Sequence, residues 1–334
     1  MAELSRQGYE RTLRRWALPV GEANGEKYHI VADELGSDRD EELVVLIHGF
    51  ASDRTTWQFV AAHLGIEHRL WIPDQLGCGN SGRPDPAVVG EATYGATGAA
   101  WNILEALRLR NEEAGWPDRI VFVGHSLGGA IVLRILGEEA LREAFPEIYE
   151  RVDAAVLIAP LEFAVHRADS TMAELATAGG FKLWLSLATG FMQERVSTEL
   201  IASAENPDRV FRFDADRIID AFDGRQARRA TQAIMRQTIP FDEKGRPEWP
   251  AIDRLVADYD NVETPVLLLW GQRDETLSLA MGYKLLAELP NARLRVMRHG
   301  KHSLQADRPA EVAVWIDRFL EDAGAGWEPL EVVD

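Results

Sequence analysis

Short apolar runs alternate along this chain with segments whose apolar residues recur at helical spacing. The runs are mostly continuous and rich in Val, Ile and Leu, which is typical of strands buried on both faces of a parallel sheet. They cover residues 43–47, 69–73, 120–123, 153–160, 265–271 and 294–297. Helical patterns separate them near 53–64, 94–113, 131–136, 278–288 and 309–322. The alternation predicts an α/β fold, a mostly parallel sheet with helices on both faces.

Two more strands are predicted before the first buried run. Residues 9–20 and 27–34 have strand patterns, and Gly21, Asn24 and Gly25 between them indicate a turn. We expect an antiparallel pair at the edge of the sheet. The sheet would then have eight strands.

The alternation stops between residues 161 and 261. Apolar faces at helical spacing occur near 170–192, 197–204, 216–221 and 226–236, and no comparable strand occurs among them. A structureless loop of this length is uncommon in a compact domain. We therefore predict a helical cap, or lid, at 161–261, inserted into a core domain formed by 1–160 and 262–334.

Composition and charge exclude some classes of function and leave the predicted fold as it is. Hydrophobic residues make up 46% and charged residues 27% of the chain, an ordinary globular mixture. The net charge of −18 argues against nucleic acid or an anionic membrane as a partner. No apolar run approaches the ~20 residues of a spanning helix, and no signal sequence opens the chain. We expect a cytoplasmic protein.

The chain offers no obvious ligand set for a metal. Cys78 is the single cysteine, which excludes an internal disulfide framework and a cysteine-based metal site. We expect neither a metal nor another cofactor. Without a dedicated histidine and acid, Cys78 itself is interpreted as an inert small residue.

The most informative stretch is Gly124-His125-Ser126-Leu127-Gly128-Gly129, between a predicted strand and a predicted helix. A serine in such a sharp turn needs small neighbours, and its hydroxyl is exposed. The stretch resembles the nucleophile elbow of the α/β-hydrolase superfamily, in its serine-nucleophile, esterase- or lipase-like branch with a helical cap. That resemblance implies the α/β-hydrolase fold, with Ser126 as nucleophile.

A base and an acid occur where this resemblance implies them. Asp274 follows the predicted strand 265–271 in Trp-Gly-Gln-Arg-Asp, and His302 follows the last predicted strand. The chain order Ser126, Asp274, His302 matches the family order. Functional residues of open parallel sheets gather beyond the carboxyl ends of the strands, where all three would lie.

Two alternatives stay open for these roles. His299 is the rival of His302, and Lys301 stands where the family usually has a glycine before its histidine. Asp307 and Pro309, which follow His302 at the family offsets, favour His302. Glu162 is the rival of Asp274, because some family members supply the acid after the earlier strand.

An oxyanion hole needs two N–H donors. Leu127 follows the nucleophile at a helix start, and its backbone N–H is the first predicted donor. The second is the N–H of Phe50, because His48-Gly49-Phe50 resembles the family's oxyanion loop. We interpret His48 as support for that loop.

Other motifs are given structural interpretations. The segment Asp74-x-x-Gly77-x-Gly79-x-Ser81 lacks the lysine of a phosphate loop, so Asp74 is expected to organise a turn. The remaining histidines singled out are expected to be structural or solvated; they are His63, His68, His125 and His166.

Aromatic and thioether side chains indicate the substrate pocket. Phe50, Phe163, Phe181 and Trp184 are the predicted substrate-binding residues, and Phe191, Met192 and Met235 are further candidates. As an alternative, we expect most of the six that lie in the insertion to hold a helical subdomain together. Four arginines of the insertion are interpreted as a solvated helix face, with contact to a substrate carboxylate as the alternative; they are Arg225, Arg228, Arg229 and Arg236.

The sequence therefore predicts a serine hydrolase acting on carboxylic esters of small, fairly apolar molecules. A lactonase, thioesterase, acyltransferase or C–C bond hydrolase would use the same triad. Dehalogenases and epoxide hydrolases of this fold carry an aspartate at the elbow, so Ser126 argues against both. A ligand-binding receptor with a capped pocket is the alternative outside the enzymes.

Overall fold

The structure is a computed structural model that describes residues 14–36, 41–161, 198, 204–205, 220–238, 246 and 248–334. One sheet runs through the described core. Its strands are β1 (Arg14–Ala23), β2 (Glu26–Gly36), β3 (Glu42–Ile47), β4 (Arg69–Pro73), β5 (Arg119–His125), β6 (Val152–Ile158), β7 (Val266–Gly271), β8 (Ala292–Met297) and β9 (Leu330–Val333).

The described helices lie between these strands and after them. They are α1 (Gln58–Leu64), α2 (Pro86–Val89), α3 (Ala96–Ala114), α4 (Leu127–Gly137), α5 (Glu139–Ala144), α6 (Pro146–Tyr149), α7 (Gly224–Thr238), α8 (Trp249–Ala257), α9 (Leu279–Glu288), α10 (Leu304–Asp307) and α11 (Pro309–Asp322). Short 3₁₀ turns cover Arg54–Trp57, Glu91–Tyr94 and Asp258–Asn261.

The strand order is β1-β2-β4-β3-β5-β6-β7-β8-β9. β2 pairs antiparallel with β1 and β4, and every pair from β4–β3 through β8–β9 is parallel. The predicted α/β-hydrolase architecture is thus confirmed. The sheet has nine strands, however, because Leu330–Val333 pairs with β8, and the sequence analysis counted only eight.

Helices cover both faces of the sheet. Along β3, Leu43, Val45 and Ile47 enter one apolar cluster, while Val44 and Leu46 enter the other. The first cluster contains the inner faces of α3 and α4, and the second contains those of α1 and α11. β3 is fully buried because each of its faces packs against a layer of helices.

The antiparallel hairpin at the edge differs from its prediction in detail. Asn24 and Gly25 form the turn, with φ of 54° and 81°. Gly21 lies within β1, at a shift of the pairing register, and is not part of the turn. Its missing side chain leaves room for Tyr28, whose ring would lie 2.2 Å from a Cβ at that position.

Part of the predicted insertion is described. α7 matches the helical pattern near 226–236, whereas α8 was not predicted. The end of this segment packs on α4 of the core. Arg134 donates to the carbonyl of Leu255 at 2.9 Å, and the amide of Asn261 donates to the carbonyl of Gly137 at 3.0 Å. The division at 161 and 261 stays a prediction.

The carboxyl ends of the parallel strands define one edge of the sheet. β5 ends at His125, β7 at Gly271 and β8 at Met297, so the segments that follow them begin at this edge. β3 ends there too, before the loop that contains Phe50. In the described parts of the chain, no helix has the length and apolar character needed to cross a membrane.

Candidate active site

Ser126 occupies a strained turn between β5 and α4. Its backbone has φ 53° and ψ −119°, a conformation that L side chains rarely adopt. Hydrogen bonds on both sides hold it there. Its N–H donates to the carbonyl of Ile158 at 3.0 Å, and its carbonyl accepts from the N–H groups of Gly129 at 2.9 Å and Leu161 at 3.0 Å. The side chain is only partly buried, as a nucleophile requires.

Close backbone contacts explain the glycines of the turn. A Cβ on Gly124 would lie 2.5 Å from the carbonyl oxygen of Gly128. A Cβ on Gly128 would lie 2.2 Å from the carbonyl oxygen of Ile47 and 2.6 Å from that of His48. The start of α4 therefore packs directly on the segment that follows β3. Any larger residue would separate the two.

His302 and Asp274 form a buried hydrogen-bonded pair. Nδ1 of His302 lies 2.8 Å from Oδ2 of Asp274, and the His302 side chain is 3% exposed. The other carboxylate oxygen, Oδ1, accepts from the N–H groups of Thr276 at 2.9 Å and Leu277 at 2.8 Å. The bond to the carboxylate places the proton on Nδ1, so Nε2 is left as the basic nitrogen.

The predicted oxyanion donors lie on the two segments that meet at the elbow. Leu127 is the first residue of α4, and Phe50 lies in the turn after β3. Within the described residues, neither N–H donates to a protein acceptor. Gly49 brings the loop close, since a Cβ there would lie 3.2 Å from Cβ of Ser126. Ala51, next to Phe50, has a left-handed φ of 49°.

His48 supports this loop from below, as expected from the sequence. It is fully buried, and its Nε2 accepts from the N–H of Gln75 at 3.0 Å. Nδ1 therefore carries the proton and donates to the carbonyl of Gly49 at 2.8 Å. The side-chain amide of Gln75 also donates to the carbonyl of His48. Gln75 was not identified from the sequence.

Asp74 organises the turn after β4. Its carboxylate accepts from the backbone N–H groups of Arg54 and Asn80, both at 2.8 Å, and from the Arg54 guanidinium. Burial raises the pKa of the Asp74 carboxyl above its usual value, and Arg54 opposes that shift. The hydroxyl of Ser81 donates to the carbonyl of Asp74 at 2.8 Å. The segment is a structural turn, as predicted.

His125 joins the elbow to the histidine loop. Its Nε2 lies 3.1 Å from the carbonyl oxygen of His302, and the centroids of the two rings are 4.9 Å apart. Its Nδ1 lies 3.2 Å from the amide nitrogen of Gln305, which is also 3.4 Å from the hydroxyl of Thr56. Burial, and then the charge of the neighbouring His302, hold the pKa of His125 well below its usual value. His125 is therefore a neutral, buried part of the site.

The rival histidine does not share this bond. His299 is exposed and has a left-handed φ of 66°, and the carboxylate of Asp274 is directed at His302. Several sequence-predicted residues lie outside the described residues, namely Glu162, Phe163, His166, Phe181, Trp184, Phe191 and Met192. Phe50 is partly buried and packs on the core. Met235 is buried on α7.

Two of the four arginines of α7, Arg229 and Arg236, differ from their interpretation as a solvated face, whereas Arg225 is exposed as expected. Arg229 pairs with Asp85, and Arg236 lies 3.1 Å from Glu91, so both side chains contact the core segment that contains α2. They are not simply a solvated face. The reason is local charge, since Asp85 and Glu91 flank α2 and face the helix. These ion pairs hold α7 against the core.

Neither a metal site nor a second nucleophile is evident in the described part of the chain. No cluster of three or more His, Cys, Asp or Glu side chains there could hold a metal ion. Cys78 is buried, and burial raises the pKa of its thiol to about 12. A thiol with that pKa is almost fully protonated at neutral pH and is a poor nucleophile.

Comparison with known proteins agrees with this fold. Residues 42–309 match the family model described as "alpha/beta hydrolase fold". Esterase YbfF of Escherichia coli (strain K12) is 23% identical over 299 residues, which cover 89% of this chain and all of that protein. Coelenterazine h 2-monooxygenase of Renilla reniformis is 24% identical over 291 residues, 84% of each chain.

Among solved structures, a putative lipase from Acinetobacter baumannii AYE superposes with a TM-score of 0.66 at 21% identity. The match covers 97% of this chain and 96% of that one. At this identity the likeness shows the fold alone. The family model, however, spans most of the chain and includes both the elbow and the histidine loop. The chain therefore belongs to the α/β hydrolase fold family.

Proposed function

We propose that this protein is a serine hydrolase that cleaves carboxylic esters of small, fairly apolar molecules through an acyl-enzyme on Ser126. The observation that carries the proposal is the buried hydrogen bond of 2.8 Å between His302 and Asp274. This pair lies at the same edge of the sheet as Ser126 in its strained turn. A serine needs such a base, and the base needs such an acid to fix its tautomer.

In the proposed reaction, Nε2 of His302 takes the proton of Ser126 as Oγ attacks the ester carbonyl carbon. The tetrahedral intermediate collapses, the bond from carbonyl carbon to alkoxy oxygen breaks, and His302 donates its proton to the leaving alcohol. Water then attacks the acyl-enzyme with His302 again as base. The acid is released and the Ser126 hydroxyl is restored.

The backbone N–H groups of Phe50 and Leu127 are the proposed oxyanion hole. Both lie beside Ser126 and neither has a protein acceptor among the described residues, so both are available to a developing oxyanion. Donors fixed in advance act on charge that forms only in the transition state, which is worth ~3–4 kcal/mol for each donor. The support of His48 and Gln75 under Gly49 keeps this loop in place.

The preference for small, fairly apolar substrates rests on the surroundings of the site. The Phe50 side chain is partly buried against the apolar core, next to Gly49 in the loop that contacts the elbow, and it is the proposed contact for the acyl group. We propose that the segment 161–261 covers the site as a cap, with Phe163, Phe181 and Trp184 as further pocket residues. Pocket shape would separate esters from lactones and from C–C bonds, because the triad serves all of them.

The experiment that tests this function compares Ser126→Ala with wild type on a series of p-nitrophenyl esters of increasing acyl length. The variant should lose at least about 10⁴-fold in kcat while its circular dichroism spectrum stays unchanged. Cys78→Ala removes the single thiol of the chain and should keep wild-type turnover. Equal turnover in the Ser126→Ala variant would exclude the mechanism.

A further inference from the structure

One imidazole ring links the two halves of the catalytic site. His125 directly precedes Ser126 on the elbow, and its Nε2 lies 3.1 Å from the backbone carbonyl of His302 on the loop after β8. We infer that His125 is a positioning residue that holds the backbone of His302 beside the nucleophile and does not itself touch substrate. The inference rests on the proposed function, because it assigns His302 as the base.

The hydrogen bonds determine the tautomer of His125. A carbonyl oxygen only accepts, so Nε2 of His125 carries a proton. In a neutral ring Nδ1 is then an acceptor, and the amide nitrogen of Gln305 donates to it across 3.2 Å. Gln305 is itself held by Thr56 at 3.4 Å. The tautomer is the reverse of that of His302, whose proton is on Nδ1.

Neutrality of His125 also suits the proposed chemistry. The titratable groups that face it are His302, whose ring centroid is 4.9 Å away, and His48. During acylation His302 becomes an imidazolium. A second positive charge at this distance would oppose that step. Burial keeps His125 uncharged, so it supplies a hydrogen bond to His302 without a competing charge.

His302 is thereby held at two points by two different elements. Asp274, beyond β7, holds the ring through Nδ1, and His125, at the end of β5, holds the backbone through the carbonyl. Without the hydrogen bond from His125, the imidazole of His302 would move with any shift of its loop. Misplacement of a catalytic group by about 1 Å costs up to about 100-fold in rate. Substrate binding should be unaffected, because the His125 side chain is buried below the site.

The experiment measures kcat and KM as functions of pH for wild type, His125→Phe and His125→Gln. Phenylalanine keeps an aromatic ring and removes both nitrogens, whereas the glutamine amide places a donor near the position of Nε2. We expect His125→Phe to lose about 10- to 100-fold in kcat with little change in KM and an altered pH profile, and His125→Gln to recover much of that loss. His63→Phe, at an exposed histidine of α1, is the matched control.

Equal kcat and pH profile in wild type and His125→Phe would overturn the inference. A glutamine variant as slow as the phenylalanine variant would overturn it as well, since the hydrogen bond would not be the cause. Should His125→Phe fail to fold, Gln305→Met answers the same question. It removes the donor to Nδ1 and should also lower kcat, and wild-type turnover in that variant would contradict the assigned role.

A second readout separates this inference from the proposed function. Nitrogen-15 NMR of the imidazoles in the wild-type protein reports tautomers without any turnover. We expect a proton on Nε2 for His125 and on Nδ1 for His302. A proton on Nδ1 of His125 overturns the inference even if Ser126-dependent turnover is normal. The expected tautomers without such turnover would overturn the proposed function, and the positioning role with it.

Discussion

Asp274 holds His302 with one carboxylate oxygen and its own loop with the other. Oδ2 lies 2.8 Å from Nδ1 of His302, while Oδ1 accepts from the N–H groups of Thr276 and Leu277. The loop fixes the carboxylate, and the carboxylate fixes the imidazole. The orientation of the His302 imidazole thus depends on backbone N–H groups five and six residues beyond the end of β7.

Replacement of Asp274 by Asn should therefore impair catalysis and spare the fold. The amide has nearly the same shape, but it lacks the charge that stabilises the imidazolium and it permits the wrong tautomer of His302. We expect kcat on an activated ester to fall by about 10³- to 10⁴-fold. Glu275→Gln changes the neighbouring, exposed carboxylate and is the control. An Asn variant as fast as this control would refute the role of Asp274.

Gly128→Ala should disturb both the fold and the site. The new Cβ would meet the carbonyl oxygens of Ile47 and His48 at 2.2 and 2.6 Å, so the start of α4 and the loop after β3 must separate. We expect a loss of about 1–3 kcal/mol in the free energy of unfolding, together with lower kcat. Urea titration and ester kinetics measure the two effects.

Gly90→Ala is the comparison for that variant. Gly90 has a φ of 85° and nothing within 4 Å of an added Cβ. Only backbone strain applies there, about 1–3 kcal/mol because φ 85° with ψ 139° is a conformation that glycine alone adopts readily, and turnover should stay at the wild-type level. If Gly128→Ala and Gly90→Ala turned over the ester equally fast, the backbone contact at Gly128 would not determine the geometry of the site.

The fold could be predicted from sequence because its strands are long apolar runs buried on both faces. β9 was missed because it has four residues, three of them exposed, and no apolar run distinguishes it. α8 was missed although Ile252, Leu255 and Val256 stand at helical spacing, because the helix is only nine residues long.

In the candidate site, too, some residues could be predicted from the sequence and others could not. Ser126, Asp274 and His302 could be predicted as a triad because each follows a strand end and their order resembles that of a known family. The contact between His125 and Gln305 joins residues 180 positions apart, and neither residue type indicates it. Gln75 was missed likewise, because its partner His48 lies on another strand end. Such links depend on packing, which a residue pattern does not encode.

Arg54 is expected to be important for stability. Its guanidinium bonds to Asp33 at 2.8 Å and to Asp74, and all three side chains are at most 6% exposed. Arg54→Met would remove the buried cation from both carboxylates and leave Asp33 with the half-exposed Arg15 and Asp74 with backbone N–H donors. We therefore expect a loss of about 3–5 kcal/mol in the free energy of unfolding. Denaturant titration with circular dichroism measures it.

Arg15 provides the control for Arg54. It also pairs with Asp33, at 2.7 Å, but its side chain is 55% exposed. Solvent screens such a pair, and Arg15→Met should cost only about 0–1 kcal/mol. Similar losses in the two variants would contradict the view that burial makes the Arg54 network costly to break.

His68 should make stability depend on pH above neutrality. Burial alone would lower the pKa of His68, but hydrogen bonds to Asp317 and Glu42 raise this pKa from 6.5 to about 9. Glu42 is also paired with Arg119 at 2.6 Å. The protonated form is favoured in the folded state, so this stabilisation is complete below about pH 6.5 and is lost as the pH rises through about 9.

His68→Gln removes the charge and should flatten that dependence. We expect wild type to lose about 1–3 kcal/mol between these limits relative to the variant, measured by urea titration at several pH values. His63→Gln, at an exposed histidine, should keep the wild-type slope. If the free energy of unfolding of His68→Gln changed with pH as steeply as that of wild type, His68 would not be the group responsible.

The proposed function depends on an acyl-enzyme on Ser126, and trapping this intermediate is the most direct test. Wild-type protein is mixed with a p-nitrophenyl ester, quenched in acid within the first turnover, and digested for mass spectrometry. We expect a burst of p-nitrophenol equal to the enzyme present and one acyl group on the peptide that contains Ser126. Turnover with no acylated peptide, or acylation at another residue that persists in Ser126→Ala, would contradict it.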